Sequence, residues 1–159
     1  MSNSDDERFM KEAIDLARKG MHNNSGGPFG AIVVMNGEIV GRGFNRVTST
    51  IDPTAHAEIV AIRDACHFLN RGDLSGCTLY TSCEPCPMCL GAIYWSRPDR
   101  VVYACTQNDA ASVGFDDEFI YREIGQSPED RKILMENKLR KEGYDMMKEW
   151  LEKEDRIPY

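Results

Sequence analysis

The 159-residue chain contains no apolar run near the ~20 residues that a membrane-spanning helix needs. It therefore predicts no membrane association. It also lacks an excess of positive charge. Lys and Arg number 19 against 26 Asp and Glu, a net charge of −7, and no lysine-rich run is present. Such a balance argues against a nucleic-acid partner, whose binding depends on neutralising phosphates. No internal repeat, low-complexity tract or linker interrupts the sequence, so a single domain spanning residues 1–159 is expected. The opening Met1–Glu7 is polar and acidic and lacks the basic and apolar regions of a signal or transit peptide, which points to a cytoplasmic protein. Histidine is scarce, with three residues: His22, His56 and His67. Only His56 stands beside other chemistry-bearing groups. His22 and His67 are read as surface or core.

Cysteine is not scarce, and its placement is uneven. Cys66, Cys77 and Cys105 are scattered in apolar contexts and read as buried small hydrophobes. Cys83, Cys86 and Cys89 cluster as two overlapping C-x-x-C pairs. Pro85 and Pro87 favour the later pair, because proline suits the first turn of a helix, where its missing N–H costs nothing. Cys86 and Cys89 would then face the same way, one turn apart, and a helix N-terminus favours thiolate over thiol. Cys83 falls on the preceding loop and reads as a packing residue. With His56, two thiolates and one imidazole make three zinc ligands and leave the fourth tetrahedral position for water. Zinc lowers the pKa of such a water to near neutrality. Glu58, two residues from His56, is the carboxylate placed to take the proton. Competing readings are a closed structural site with Cys83 as fourth ligand, a solvated first-turn Glu58, and a redox C-x-x-C pair. The last explains neither His56 nor Glu58.

The coarse pattern places these residues. Phe9, Ala13, Ala17 and Met21 recur at helical spacing, with Ile14 and Leu16 beside them, and predict a first helix ending near Gly20. Ala31–Met35 and Glu38–Gly43 read as strands around Asn36-Gly37, a preferred two-residue hairpin turn. A helix follows over about His56–Phe68, then a strand at Thr78–Thr81. The cysteine helix runs from about Cys86 to Trp95 with Leu90, Ile93 and Tyr94 inward, and a buried strand follows at Val101–Cys105. Lys132–Arg140 alternates Ile133, Met135, Asn137 and Leu139 and is read as an edge strand. Tyr144–Lys153 is read as a final helix. The order predicts an α/β protein with three α/β/α layers and a mixed central sheet. His56 and Cys86 fall at helix starts after a loop or strand end, where open α/β sheets place their sites.

His56-x-Glu58 with Pro85-Cys86-x-x-Cys89 matches the H-x-E…P-C-x-x-C signature of zinc-dependent nucleobase deaminases. The longer matching segments are Gly26–Ala31 (GGPFGA), Asp52–Glu58 (DPTAHAE), Leu79–Trp95 (LYTSCEPCPMCLGAIYW) and Gly114–Asp117 (GFDD). With them the chain resembles the bacterial guanine deaminases of the cytidine deaminase-like fold, well over Phe9–Glu123 and loosely in the tail. The resemblance implies one Zn²⁺ per chain on His56, Cys86 and Cys89, with Glu58 as proton shuttle. It implies substrate contacts from Phe29, Asn45, Ala57, Trp95 and Asp117: Asn45 bonds the purine, Phe29 and Trp95 wall the base, and Asp117 holds the ring and the departing amino group. Asp109 competes with Asp117 for that role. It further implies a homodimer in which residues from about 120 to 159 can exchange between subunits, bringing Tyr159 to the partner's pocket. The expected activity is hydrolysis of guanine to xanthine and ammonia. The alternatives are a tRNA adenosine deaminase, a deaminase of guanosine or a triazine such as ammeline, and a non-catalytic zinc-stabilised interaction module.

Overall fold

A computed structural model describes residues 3–158. Two compact units divide between Asp117 and Glu118.

The first unit is a four-stranded mixed sheet between helices. Its elements are α1 (Asn3–His22), β1 (Gly30–Met35), β2 (Glu38–Phe44), α2 (Val47–Thr50), α3 (Ala57–Leu69), β3 (Cys77–Cys83), α4 (Pro87–Ser96), β4 (Arg100–Cys105) and α5 (Gln107–Ser112). The strand order is β2-β1-β3-β4. β1 is antiparallel to both neighbours, and β4 runs parallel to β3 after the α4 crossover. The hairpin turn at Asn36-Gly37 has φ of 52° and 82°, the doubly positive pair that matches strand twist.

Alternation along β1 sorts the core onto two faces. Ile32 and Val34 pack with Phe9 and Ala13 of α1 and with Tyr80 of β3. Ala31 and Val33 pack on the other face with Ala57, Ala61 and Ile62 of α3 and Ile93 of α4. Every residue of β3 is buried, as a strand covered on both faces requires. The three-layer expectation therefore holds in this unit. In α1, Phe9, Ala13 and Ala17 are buried and Met21 is exposed. Asp6 in its first turn accepts from the Tyr80 hydroxyl (2.6 Å) and pairs with Arg100 of β4 (2.6 and 3.0 Å). The Arg100 guanidinium, and after it the Tyr80 hydroxyl, hold the Asp6 carboxyl below its usual range. This ties the α1 layer to two strands through charge-assisted hydrogen bonds.

α3 approaches β2 closely because the strand offers two glycines there. A Cβ on Gly43 would lie 2.2 Å from the Ala57 carbonyl, and one on Gly41 would lie 2.6 Å from the Ala61 carbonyl.

The second unit comprises α6 (Glu118–Ile124), a 3-10 turn (Pro128–Asp130) and α7 (Arg140–Glu152). The final helix matches the periodicity read from Tyr144 onward, starting four residues earlier. The edge strand read at Lys132–Arg140 is not formed, and no strand follows β4 among the described residues. The Lys132 N–H goes to the Glu123 carboxylate (2.7 Å), and Leu139 adopts φ 52°. An alternating segment becomes a strand only when a neighbour supplies its ladder. Further readings are corrected. β4, read as a buried strand, is half-buried at Val101 and Val102 and exposed at Arg100 and from Tyr103 to Cys105. Cys66 is half-buried, and Leu90 and Tyr94 of α4 face outward while Ile93 is buried. Among the described residues no helix is long and apolar enough to cross a membrane.

Candidate active site

The site forms where α3 and α4 begin. His56 is the N-cap of α3 and Cys86 the N-cap of α4, both in extended conformation, with Pro87 opening the second helix. Cys89 lies in the first turn of α4 and is fully buried. His56 Nδ1 is 3.5 Å from Cys86 Sγ and 3.6 Å from Cys89 Sγ. Tetrahedral bonds of about 2.0–2.1 Å to nitrogen and 2.3 Å to sulfur place such donors about 3.6 Å apart. The three donors converge within 4.8 Å of one another, so the cage fits one zinc ion per chain.

Its electrostatics suit a cation. Interactions with Cys89, and after that with His56, hold the Cys86 thiol well below its usual range. That pairing drives the Cys89 thiol upward, and the bond to Cys86 raises His56. Two thiols and an imidazole thus share protons that a divalent cation displaces. Cys83 stays outside the cage. Burial raises its thiol to about 11, and its Sγ points to the Thr106 carbonyl (3.6 Å). This disfavours the closed four-ligand reading.

Glu58 is 6% exposed, so the solvated first-turn reading does not describe it. The Thr81 hydroxyl donates to Oε1 (3.3 Å) and the Cys89 thiol to Oε2 (3.4 Å). Burial raises its carboxyl above the ordinary range, as suits a group that takes and returns a proton.

His56, Glu58 and Cys86 line a cavity of about 470 Å³ together with Phe29, Asn45 and Asp117. Asn45 is buried, and its Oδ1 accepts from the backbone N–H of Gly27 (3.2 Å) and of Val47 (3.1 Å). Both bonds fix the amide, which leaves its NH₂ as the group that can serve a ligand. A Cβ on Gly26 would lie 2.1 Å from that Oδ1. Asp117 lines the cavity, whereas Asp109 spends its carboxylate on the Thr106 backbone N–H and hydroxyl in a capping box at α5. Of the two, Asp117 alone is among the residues lining the cavity.

Two expected contacts lie elsewhere. Ala57 is fully buried and does not line the cavity. Trp95 is 65% exposed and also outside it. It stands nine residues beyond Cys86, about 13 Å along the helix axis. The ring facing Phe29 is instead Phe115, edge-on with centroids 4.9 Å apart. Tyr159 lies outside the described residues. Sequence reasoning also passed over Gln107, Glu84 and Thr48, all on the cavity wall. Phe115 and Glu84 stood inside quoted motifs, which was a signal for both. Gln107 and Thr48 had none.

Comparison with known proteins agrees with this geometry. Residues 3–105 match the family model described as the cytidine and deoxycytidylate deaminase zinc-binding region. The chain is 57% identical to the guanine deaminase of Bacillus subtilis over 127 residues, 80% of this chain and 81% of that protein. The crystal structure of guanine deaminase from Bacillus subtilis superposes with a TM-score of 0.95 at 48% identity, over 100% of this chain and 99% of that one. A tRNA-specific adenosine deaminase of Bacillus subtilis is 45% identical over 98 residues, 62% of this chain and 60% of that protein. The zinc cage, the carboxylate beside it and these matches together place the chain in the cytidine and deoxycytidylate deaminase zinc-binding family, alongside guanine deaminase.

Proposed function

We propose that the protein hydrolyses guanine to xanthine and ammonia in the cytoplasm. The observation that carries this is the buried Glu58 beside the three-donor cage, lining one cavity with Asn45 and Asp117. Zinc, when bound, supplies the acidification of a water at neutral pH. Glu58 takes the proton of the attacking water as the C2–O bond forms. It passes that proton to the ring nitrogen, then takes the proton of the newly formed C2 hydroxyl and gives it to the amine, so that the C2–N bond breaks as the C2 carbonyl forms. The Asn45 NH₂ donates to the purine carbonyl, and the Asp117 carboxylate accepts from ring or amino N–H. Phe29 and Phe115 enclose the base. Adenine has no carbonyl to accept from Asn45, and a site built on hydrogen bonds steeply rejects a ligand that leaves one unpaired. An ammonia-release assay over guanine, guanosine, adenine, cytosine, cytidine and ammeline is expected to favour guanine by at least ~10²-fold. Preference for an adenosine in a tRNA stem-loop would overturn the reading.

We further propose a homodimer. Tyr94 and Trp95 of α4 are 76% and 65% exposed, and no apolar side chain of the second unit is buried among the described residues. Exposed apolar surface on this scale marks an interface. The resemblance assigns Tyr159 to the partner's pocket. Deleting Ile157–Tyr159 is expected to leave zinc content intact while cutting guanine turnover strongly. Full turnover by the truncated chain, or a monomer in sedimentation, contradicts the corresponding part of the proposal.

A further inference from the structure

Gln107, the first residue of α5, is bound at both ends to cavity-lining carboxylates. Its backbone N–H donates to Glu84 Oε2 (3.0 Å), and its side-chain Nε2 donates to Asp117 Oδ1 (2.7 Å). All three residues face the same cavity. The 2.7 Å bond is short for an N–H donor, as expected when the acceptor is a carboxylate.

Asp117 needs such a partner. It lies just after Gly114, whose φ of +95° turns the chain, and just before α6. No regular element holds it. A short side chain on a loop end has several rotamers, and each sends its carboxylate in a different direction. The Gln107 amide selects one of them. It occupies Oδ1, which leaves Oδ2 as the acceptor for a ligand N–H. Being neutral, it does so without forming an ion pair that would compete for the charge. Gln107 is itself held, because α5 opens on the Thr106–Asp109 capping box and its N–H is anchored on Glu84. The chain of support runs from Glu84 and the helix cap, through a neutral amide, to the carboxylate.

We infer that Gln107 is a positioning residue for deamination, aligning Asp117 so that one carboxylate oxygen meets the substrate's amino group. This rests on the reading of Asp117 as a substrate contact. The amino nitrogen gains positive character as it leaves, so a correctly aimed carboxylate holds it more strongly late in the reaction than in the ground state. Misaiming it then lowers kcat more than it raises KM.

The test is a double-mutant cycle on the zinc-loaded enzyme with guanine, with zinc content and melting temperature recorded for every variant. Gln107→Leu and Gln107→Met remove the donor and keep the bulk, so if one variant folds poorly the other carries the measurement. Each is expected to lose about 10- to 10²-fold in kcat/KM, mostly in kcat, with zinc content unchanged. Asp117→Ala is expected to lose at least as much. In the Asp117→Ala background the Gln107 substitutions are expected to cost nothing further, because the residue acts through that carboxylate. A large loss for Asp117→Ala with wild-type kinetics for both Gln107 variants overturns the positioning role and leaves the Asp117 contact standing. Additive losses overturn it too, because Gln107 would then act on its own. Wild-type kinetics for Asp117→Ala removes the substrate contact and the positioning role together.

Discussion

Glu58→Gln is expected to retain fold and zinc and to lose at least ~10²-fold in kcat, the scale of a positioned acid–base group. The substitution keeps shape and volume, which matters at a residue only 6% exposed. The Thr81 hydroxyl can still donate to the amide oxygen, so the side chain stays beside the cage. What disappears is the ability to accept a proton from water and give it back. An amide does neither at neutral pH. KM is expected to change little, since the proposed purine contacts come from Asn45, Asp117 and the aromatic rings. Kinetics of the variant, with metal analysis on the same sample, check this. Near-normal turnover with full zinc occupancy would falsify the shuttle role.

Chelation is expected to abolish turnover completely, and stoichiometric Zn²⁺ to restore it. The fold should survive, because α3 and α4 are also held by the apolar cluster of Ala61, Ile62, Leu79 and Ile93. Its stability should drop. A ligand present at a thousand times its dissociation constant contributes about 4 kcal/mol, so the melting temperature should fall measurably and recover with zinc. Cobalt substitution adds a spectroscopic count of the thiolates. Two sulfur ligands are expected, Cys86 and Cys89, and three would restore Cys83 to the ligand set against its observed orientation toward Thr106. Undiminished activity in protein shown by elemental analysis to be metal-free would remove zinc from the reaction.

Local chemistry made much of this molecule readable. Asn36-Gly37 announced the β1–β2 hairpin because few residue pairs tolerate positive φ at both positions. Pro87 announced the start of α4 and so separated Cys86 and Cys89 from Cys83, a separation the cage geometry repeats. What depended on distant partners was not readable. Ile133, Met135, Asn137 and Leu139 alternate like a strand, but alternation describes a side-chain pattern and supplies no ladder. Leu90, Tyr94 and Cys105 were expected inside because they are apolar. Their exposure reflects which surfaces the folded chain leaves uncovered, which residue type alone does not decide. Gln107 illustrates another blind spot. Glutamine on a helix is unremarkable in sequence, and its relation to Asp117 exists only once the chain has folded back over ten residues.

The glycines of β2 carry a consequence for how substitutions would register. Gly41 and Gly43 lie against the backbone of α3 at distances no side chain could occupy. α3 is the helix whose N-terminus carries His56 and Glu58. A single methyl group there would have to move the helix, and with it a zinc ligand and the proton shuttle. These positions have no acid, base or donor group of their own, and they precede the motif by more than ten residues. They act as the spacer that sets the distance between two layers. The catalytic tolerances of this enzyme are thus fixed partly by atoms it omits, and the residues least free to vary include two that take no part in the chemistry.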